Sequence, residues 1–318
     1  MTPLPRRLLT VLATLLVAAV ASACAAETRT AQIEVVPEVL TLPGETVTRF
    51  HYLPDGPSDS RFPDQNWADL YMPAGNHAFN SVPLVVLIHG GGWKSTMGAG
   101  VLDGLARELA GRGMAVYNIE YRRVGSGGGW PTTFDDVASA MDYVAKLTLR
   151  YPQLAADDAL VVGHSAGAQL AVWASTRHDL HGDEVGSRPL FRPTRVISLA
   201  GPLDMVYAAN RGDNHIVAVL GGRPAEVPQR YASVDPIQNL DPEVPVIAVH
   251  GTLDTVVSPA NSQRYVAALK KRGGRASLEM IPGENHTSIV STRSPGFKRV
   301  LHLITATSEA EQDQLPVK

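Results

Sequence analysis

The chain reads as an α/β protein: a mostly parallel sheet with helices on both faces and an antiparallel N-terminal edge. Three observations carry this reading. From Pro83 onward, short continuous apolar runs alternate with longer stretches of helical spacing. Runs such as "PLVVLIH" and "DALVVGH" suit strands buried on both faces, as in a parallel sheet. Before Pro83 the pattern changes, and "ADLYMP" alternates as a half-exposed antiparallel strand does.

The elements follow in order. "MTPLPRRLLTVLATLLVAAVASACAA" has Arg6 and Arg7, an apolar run from Leu8 to about Ala21, and then small residues. That is the order of a secretory signal peptide over residues 1–26, and it places the rest of the chain outside the cytoplasm. The sole cysteine, Cys24, excludes an intramolecular disulfide. Its context "ASAC" fits a lipobox, with Cys24 lipidated and first in the mature chain. Plain cleavage after Ala23 or Ala26 fits equally. Residues 27–45 read as a tether. "TVTRFHYLP" and "NWADLYMP" read as two strands separated by a turn-rich loop.

Beyond Pro83, "PLVVLIH" is a strand and "VLDGLARELAGRG" a helix with a glycine stop. "MAVYNIEY" is a strand, and "TFDDVASAMDYVAKLTLRYP" one long helix closed by Pro152. "DALVVGH", "TRVISLAG", "VPVIAVHG" and "ASLEMIPG" are strands. "AGAQLAVWASTR", "SPANSQRYVAALKKRG" and "GFKRVLHLITATSEA" are helices. Residues 204–240 break this rhythm and read as a cap-like excursion over the C-terminal edge of the sheet, where ligands bind in such folds. "GSGGGW" reads as a short flexible loop. The domain spans 46–306, and 307–318 form a tail.

Composition narrows the function. The chain has 318 residues, 44% of them hydrophobic, with a formal net charge of −3 and 6% aromatic residues. That suits one large soluble domain or two small ones. It disfavours nucleic acid as a partner, since neither a basic balance nor an abundance of stacking aromatics is present.

Four short stretches could carry chemistry, each at the C-terminal end of an expected strand. In "GHSAG", Ser165 stands between a buried strand and a helix. This is the context of a nucleophile on a tight turn, with helix N–H groups pointing at the site. A serine needs a base. His286, in "IPGENHTSIV", is the best placed. His250 and His164 lie in strand ends and read as structural, while His215 is a weaker rival that could line a pocket. The base needs an orienting acid: Asp254 in "HGTLD", with Asp204 in "GPLD" as the alternative. "HGGGW" supplies Gly90, Gly91 and Gly92, whose N–H groups can turn inward toward an oxyanion together with that of Ala166. Alone, each stretch has a plain structural explanation. Together they fall in the order nucleophile, acid, base along one sheet edge.

On these residues the chain resembles the α/β-hydrolase superfamily from about Asn66 to Ile304. "HGGGW" and "EYRR" resemble the esterase/lipase and hormone-sensitive-lipase-like branch. "GHSAGAQLAVW" and "NHTSIV" are similar to kynurenine formamidase and bacterial feruloyl/acetyl-xylan esterase relatives. "HGTLDTVV" resembles the prolyl-oligopeptidase-like hydrolases. The resemblance implies Ser165 as nucleophile, His286 as general base and then acid, Asp254 as orienting carboxylate, and oxyanion donors at Gly91, Gly92 and Ala166. It departs from the common pattern at Glu284 and Asn285, before the histidine, and at Ser258 and Pro259. Trp93, Trp130 and His215 are expected around the substrate, with Trp93 either a pocket wall or packed beneath it. The implied substrate is a small-molecule carboxylic ester, and the chemistry needs neither a metal nor an organic cofactor. Membrane contact is expected only through a lipid on Cys24. Amide hydrolysis and a non-catalytic binding role are the competing readings.

Overall fold

The computed structural model describes residues 39–53, 64–310 and 315. The signal segment, Cys24 and the first part of the expected tether lie outside the described residues. An eight-stranded sheet organises the rest. Its strands are β2 (Thr46–His51), β3 (Trp67–Met72), β5 (Val82–Ile88), β6 (Ala115–Ile119), β7 (Leu154–His164), β8 (Arg195–Leu199), β9 (Val246–Gly251) and β10 (Ala276–Ile281). Their spatial order is β10-β9-β8-β7-β5-β6-β3-β2. All pairs from β10 to β6 are parallel, and β6/β3 and β3/β2 are antiparallel. The expected antiparallel edge is therefore present.

The period of two within strand β5 builds the layers. Leu84, Val86 and Ile88 enter one apolar cluster, and Val85 and Leu87 enter the other. The first cluster is covered by α2 (Thr132–Asp142), α3 (Val144–Arg150), α4 (Ala166–Ser175) and α8 (Ala260–Lys271), through Phe134, Leu147, Leu170, Trp173, Tyr265 and Leu269. The second is covered by α1 (Asp103–Ala110) and α9 (Phe297–Glu309), through Leu105, Leu109, Val300 and Ile304. Fully burying each such side chain contributes about 2 kcal/mol.

The winding places the site. The chain leaves β5, goes to β6 on one side, then crosses to β7 on the other. The C-terminal ends of β5 and β7 therefore flank the switch point, where connections diverge and leave a crevice. "HGGGW" follows β5 and Ser165 follows β7.

Several expectations need correction. The tether ends in structure: β1 (Val39–Leu42) pairs antiparallel with β4 (Gly75–Ala78), forming a small separate sheet. The long helix is divided into α2 and α3 at Tyr143, which itself keeps right-handed helical dihedrals. The last helix runs to Glu309, and Thr307 is buried with its carbonyl accepting from Arg195 Nη1 at 2.6 Å, so the tail begins later than 307. The "GSGGGW" loop is tied down: Ser126 Oγ donates to Gln65 Oε1 at 2.9 Å, and Gln65 Nε2 donates to the Ser126 carbonyl at 2.9 Å. Residues 204–240 fold into α5 (Met205–Asn210), α6 (Asn214–Leu220) and α7 (Pro228–Val234), whose Met205, Ile216, Leu220, Tyr231 and Val234 join the first cluster.

Candidate active site

Ser165 sits between β7 and α4 with φ 55° and ψ −122°, a conformation that costs a non-glycine residue roughly 1–3 kcal/mol. The surroundings hold it there. Its N–H donates to the Leu199 carbonyl of β8 at 2.8 Å. Gly163 and Gly167 permit the turn by close approach. A Cβ on Gly163 would stand 2.1 Å from the Gly167 carbonyl oxygen, and one on Gly167 would stand 2.1 Å from that of Ile88. Neither position accepts any side chain without moving backbone. The two glycines of "GHSAG" thus let helix α4 press against the ends of β5 and β7, with the serine raised at the crest.

His286 reaches this serine from the loop after β10. The Ser165 hydroxyl lies 2.8 Å from His286 Nε2, and His286 Nδ1 lies 2.8 Å from Asp254 Oδ2. A carboxylate only accepts, so Nδ1 carries the hydrogen and Nε2 is free to accept from the serine. The loop is shaped by the two residues that depart from the family pattern. Asn285 Oδ1 accepts from the N–H groups of Thr287 and Ser288 at 3.1 and 2.9 Å, and Glu284 Oε1 accepts from the N–H of Gly296 at 2.8 Å.

Asp254 follows β9 by a short loop. Its Oδ1 accepts from the N–H groups of Val256 and Val257, both at 2.9 Å. Burial opposes its ionisation, but hydrogen bonds from His250, His286 and the Val257 backbone hold its pKa well below the usual carboxylate value. The three side chains are all buried.

The loop after β5 borders the serine. A Cβ on Gly90 would lie 2.9 Å from Ser165 Cβ. Gly91 and Gly92 both have positive φ, 113° and 62°. Ala166 opens α4, so its N–H belongs to the first turn, where no intrahelical acceptor exists. The loop rests on a buried network centred on Glu120 of "EYRR". Glu120 Oε1 lies 3.0 Å from His89 Nε2 and accepts from the Tyr121 N–H at 2.9 Å; Oε2 accepts from the Ala99 N–H at 3.0 Å. The Tyr121 hydroxyl donates to the His89 carbonyl at 2.8 Å, and its ring stacks on the His89 ring at 4.3 Å. Burial disfavours the Glu120 carboxylate, yet His89 and Arg123 hold its pKa below the usual value.

The other expected residues divide. Trp93 is 1% exposed and belongs to the core, so it packs beneath the site rather than walling it. Trp130 is half-buried against Phe134, centroids 5.6 Å apart, with Arg230 over its face. The ring of His215 lies over the glycine loop after β5: a Cβ on Gly92 would meet its Cγ at 3.2 Å. Asp204 turns both oxygens to other partners. Its Oδ1 caps α5 by accepting from the Tyr207 N–H at 2.9 Å, and its Oδ2 accepts from Arg264 Nε at 2.6 Å.

Two histidines that read as structural from their strand ends are brought onto the site. His164 Nε2–H donates to the His286 carbonyl at 2.8 Å, and the two rings are 5.0 Å apart. Burial first, and then His286, lower its pKa to about 4, so it stays neutral beside any imidazolium on His286. His250 Nε2 lies 3.2 Å from Asp254 Oδ2. The four-residue spacing from His250 to Asp254 in "HGTLD" was the available signal. For His164 and Glu120 no local pattern points to the partner.

Comparison with known proteins places the chain. Residues 68–269, more than half of it, match the family model BD-FAE. The chain belongs to the BD-FAE family. The match covers Ser165 and Asp254 and ends before His286. A probable isoprenylcysteine alpha-carbonyl methylesterase of Oryza sativa subsp. japonica is 25% identical over 244 residues, 71% of this chain and 56% of the rice protein. This BD-FAE member thus spans about half the length of that curated relative. Among solved structures, a truncated carbohydrate esterase from gut microbiota aligns with TM-score 0.67 at 21% identity, covering 83% of this chain and 97% of that one. A thermophilic esterase of Thermogutta terrifontis, with butyrate bound, aligns with TM-score 0.66 at 22% identity, covering 83% of this chain and 92% of that one. The fold is that of the α/β-hydrolases.

Proposed function

We propose that the protein is a serine carboxylesterase that cleaves esters of small to medium acyl groups through an acyl-enzyme on Ser165. The observation that carries this is the relay Ser165–His286–Asp254, with 2.8 Å at each link, mounted on a strained turn beside a glycine loop. Ser165 Oγ attacks the ester carbonyl carbon as its proton passes to His286 Nε2. The N–H groups of Gly91, Gly92 and Ala166 receive the developing oxyanion. The intermediate collapses, and the alcohol leaves with the proton from His286. Water then attacks the acyl group, giving a proton to His286, which returns it to Ser165 as the acid departs.

The acyl size is inferred from the short, well-packed excursion of α5–α7, and butyrate on the Thermogutta enzyme marks the first chain length to try. The test is hydrolysis of a p-nitrophenyl acetate-to-laurate series by wild type and Ser165→Ala. We expect Ser165→Ala to lose at least ~10³-fold in kcat on every ester turned over. Equal rates in the two proteins would remove Ser165 from the reaction.

We propose further that the enzyme works outside the cytoplasm. Support comes from the order of Arg6, Arg7, the apolar run and the small residues before Cys24. Mass spectrometry of the mature N-terminus distinguishes a lipidated Cys24 from plain cleavage, and recovery of the protein in the cytoplasmic fraction with Met1 intact would contradict export.

A further inference from the structure

The reaction above gives no role to a fully buried titratable side chain that touches Asp254. His250, in β9, has 0% exposure and stands four residues before Asp254. Its Nε2 is 2.9 Å from the Val257 carbonyl oxygen and 3.2 Å from Asp254 Oδ2; its Nδ1 is 2.8 Å from Ser262 Oγ. Both neighbours of Nε2 are acceptors, so Nε2 carries a hydrogen, and the Ser262 hydroxyl can donate to Nδ1. One N–H is thus forked between a carbonyl and the carboxylate. Asp254 accepts from two backbone N–H groups on Oδ1 and from two imidazoles on the single oxygen Oδ2.

We propose that His250 is a positioning residue that tunes the basicity of His286 by sharing Asp254 Oδ2 with it. The inference rests on the triad reading above. A second donor on Oδ2 draws negative charge away from the face that His286 sees. Removing it leaves more charge there and stabilises the imidazolium form of His286. The free base then disappears at a higher pH, so the acid limb of kcat/KM moves upward. The direction is the same whether His250 is neutral or charged, because either form loses positive potential on removal.

The other titratable groups facing His286 stay in place. His164 approaches from β7 and is kept neutral by burial, and Asp254 approaches from the loop after β9. Glu284, two residues earlier on the same loop, turns its carboxylate to the Gly296 N–H. The two backbone donors on Asp254 persist in every variant, so the carboxylate remains ionised and oriented.

The test compares wild type, His250→Phe and His250→Gln as full chains. Phenylalanine keeps the ring without an N–H, and the glutamine amide nitrogen falls near the position of Nε2. Two readouts are taken: kcat/KM against pH on a soluble p-nitrophenyl ester, and the ¹H–¹⁵N titration of the His286 imidazole. The Phe variant should move both upward by about one pH unit, and the Gln variant should stay within ~0.3 unit of wild type. An unmoved or lowered titration in Phe, or Gln moving as far as Phe, overturns the proposal and leaves His250 as packing. If the Phe variant does not fold, Ser262→Ala keeps the ring and weakens its N–H. It should then move both readouts upward by roughly 0.3 unit, and no movement overturns the proposal. A wild type without ester turnover would sink the esterase reading alone, because the imidazole titration needs no turnover.

Discussion

Two buried aspartates stand just beyond the ends of neighbouring strands, Asp204 after β8 and Asp254 after β9. They read almost alike in the sequence, and both were eligible to orient the base. The structure uses them differently. Asp204 spends one oxygen on the first turn of α5 and the other on Arg264. Asp254 spends one oxygen on its own loop and turns the other to His286 and His250. Burial alone does not decide which carboxylate serves chemistry. What decides is whether one oxygen remains for a base after the backbone has been satisfied.

The comparison is broken most sharply by paired substitutions. Asp254→Asn should lower kcat/KM by about 10⁴-fold at neutral pH, because an amide no longer enforces the Nδ1–H tautomer of His286. Asp204→Asn should keep kcat/KM within about tenfold; its amide oxygen still caps α5, so urea unfolding should lose only the exposed Arg264 charge pair, less than about 1 kcal/mol. Comparable activity losses in the two proteins would erase the distinction.

A third buried carboxylate sharpens the contrast from the other side of the serine. Glu120 touches neither the base nor the nucleophile, yet it holds His89 and the Ala99 N–H, and so the loop of Gly91 and Gly92. Glu120→Gln should lower kcat by roughly 10²-fold with KM within about threefold, the signature of a damaged oxyanion site. A change confined to KM would contradict that role.

The smaller effects concern the support under Asp204. Asp235 accepts from the N–H groups of Met205 and Val206 at 2.9 and 3.2 Å, and burial pushes its pKa up to about 6. The folded state therefore binds this proton more tightly than the unfolded state does. Its contribution to stability is complete only below the ordinary value of 3.8, declines as pH rises from about 4 and levels off above about 6, by on the order of 3 kcal/mol at most. Asp235→Asn should flatten that part of the stability–pH profile; an unchanged slope would assign it to other groups. The smallest effect is at the surface end of the Asp204 pair. The Arg264 side chain is 52% exposed, so Arg264→Ala should cost less than about 1 kcal/mol and leave kcat within about twofold.

Much of this was legible in the sequence for identifiable reasons. The strands β5, β7 and β9 announce themselves because burial on both faces demands unbroken apolar runs. The site announces itself because the backbone of a tight turn tolerates only glycine at Gly163 and Gly167, whatever the substrate. What escaped depends on long-range partners. Pairing of β1 with β4 leaves no apolar run, since most of their residues stay exposed or half-exposed. His164 meets the carbonyl of His286 across 122 residues of chain, and Glu120 meets His89 across 31. Local patterns cannot carry such contacts. The same holds for the choice between Asp204 and Asp254, which is decided by Arg264 and His286, each claiming one of them.

The nucleophilic role proposed for Ser165 depends on His286 and Asp254. It is tested most directly by intact-mass spectrometry after brief exposure to a fluorophosphonate, using wild type, Ser165→Ala, Asp204→Asn and Asp254→Asn. One adduct on Ser165 is expected in wild type and Asp204→Asn, with much slower labelling in Asp254→Asn and none in Ser165→Ala. An adduct of equal yield in Ser165→Ala, or no adduct in a wild type that hydrolyses esters, would contradict it.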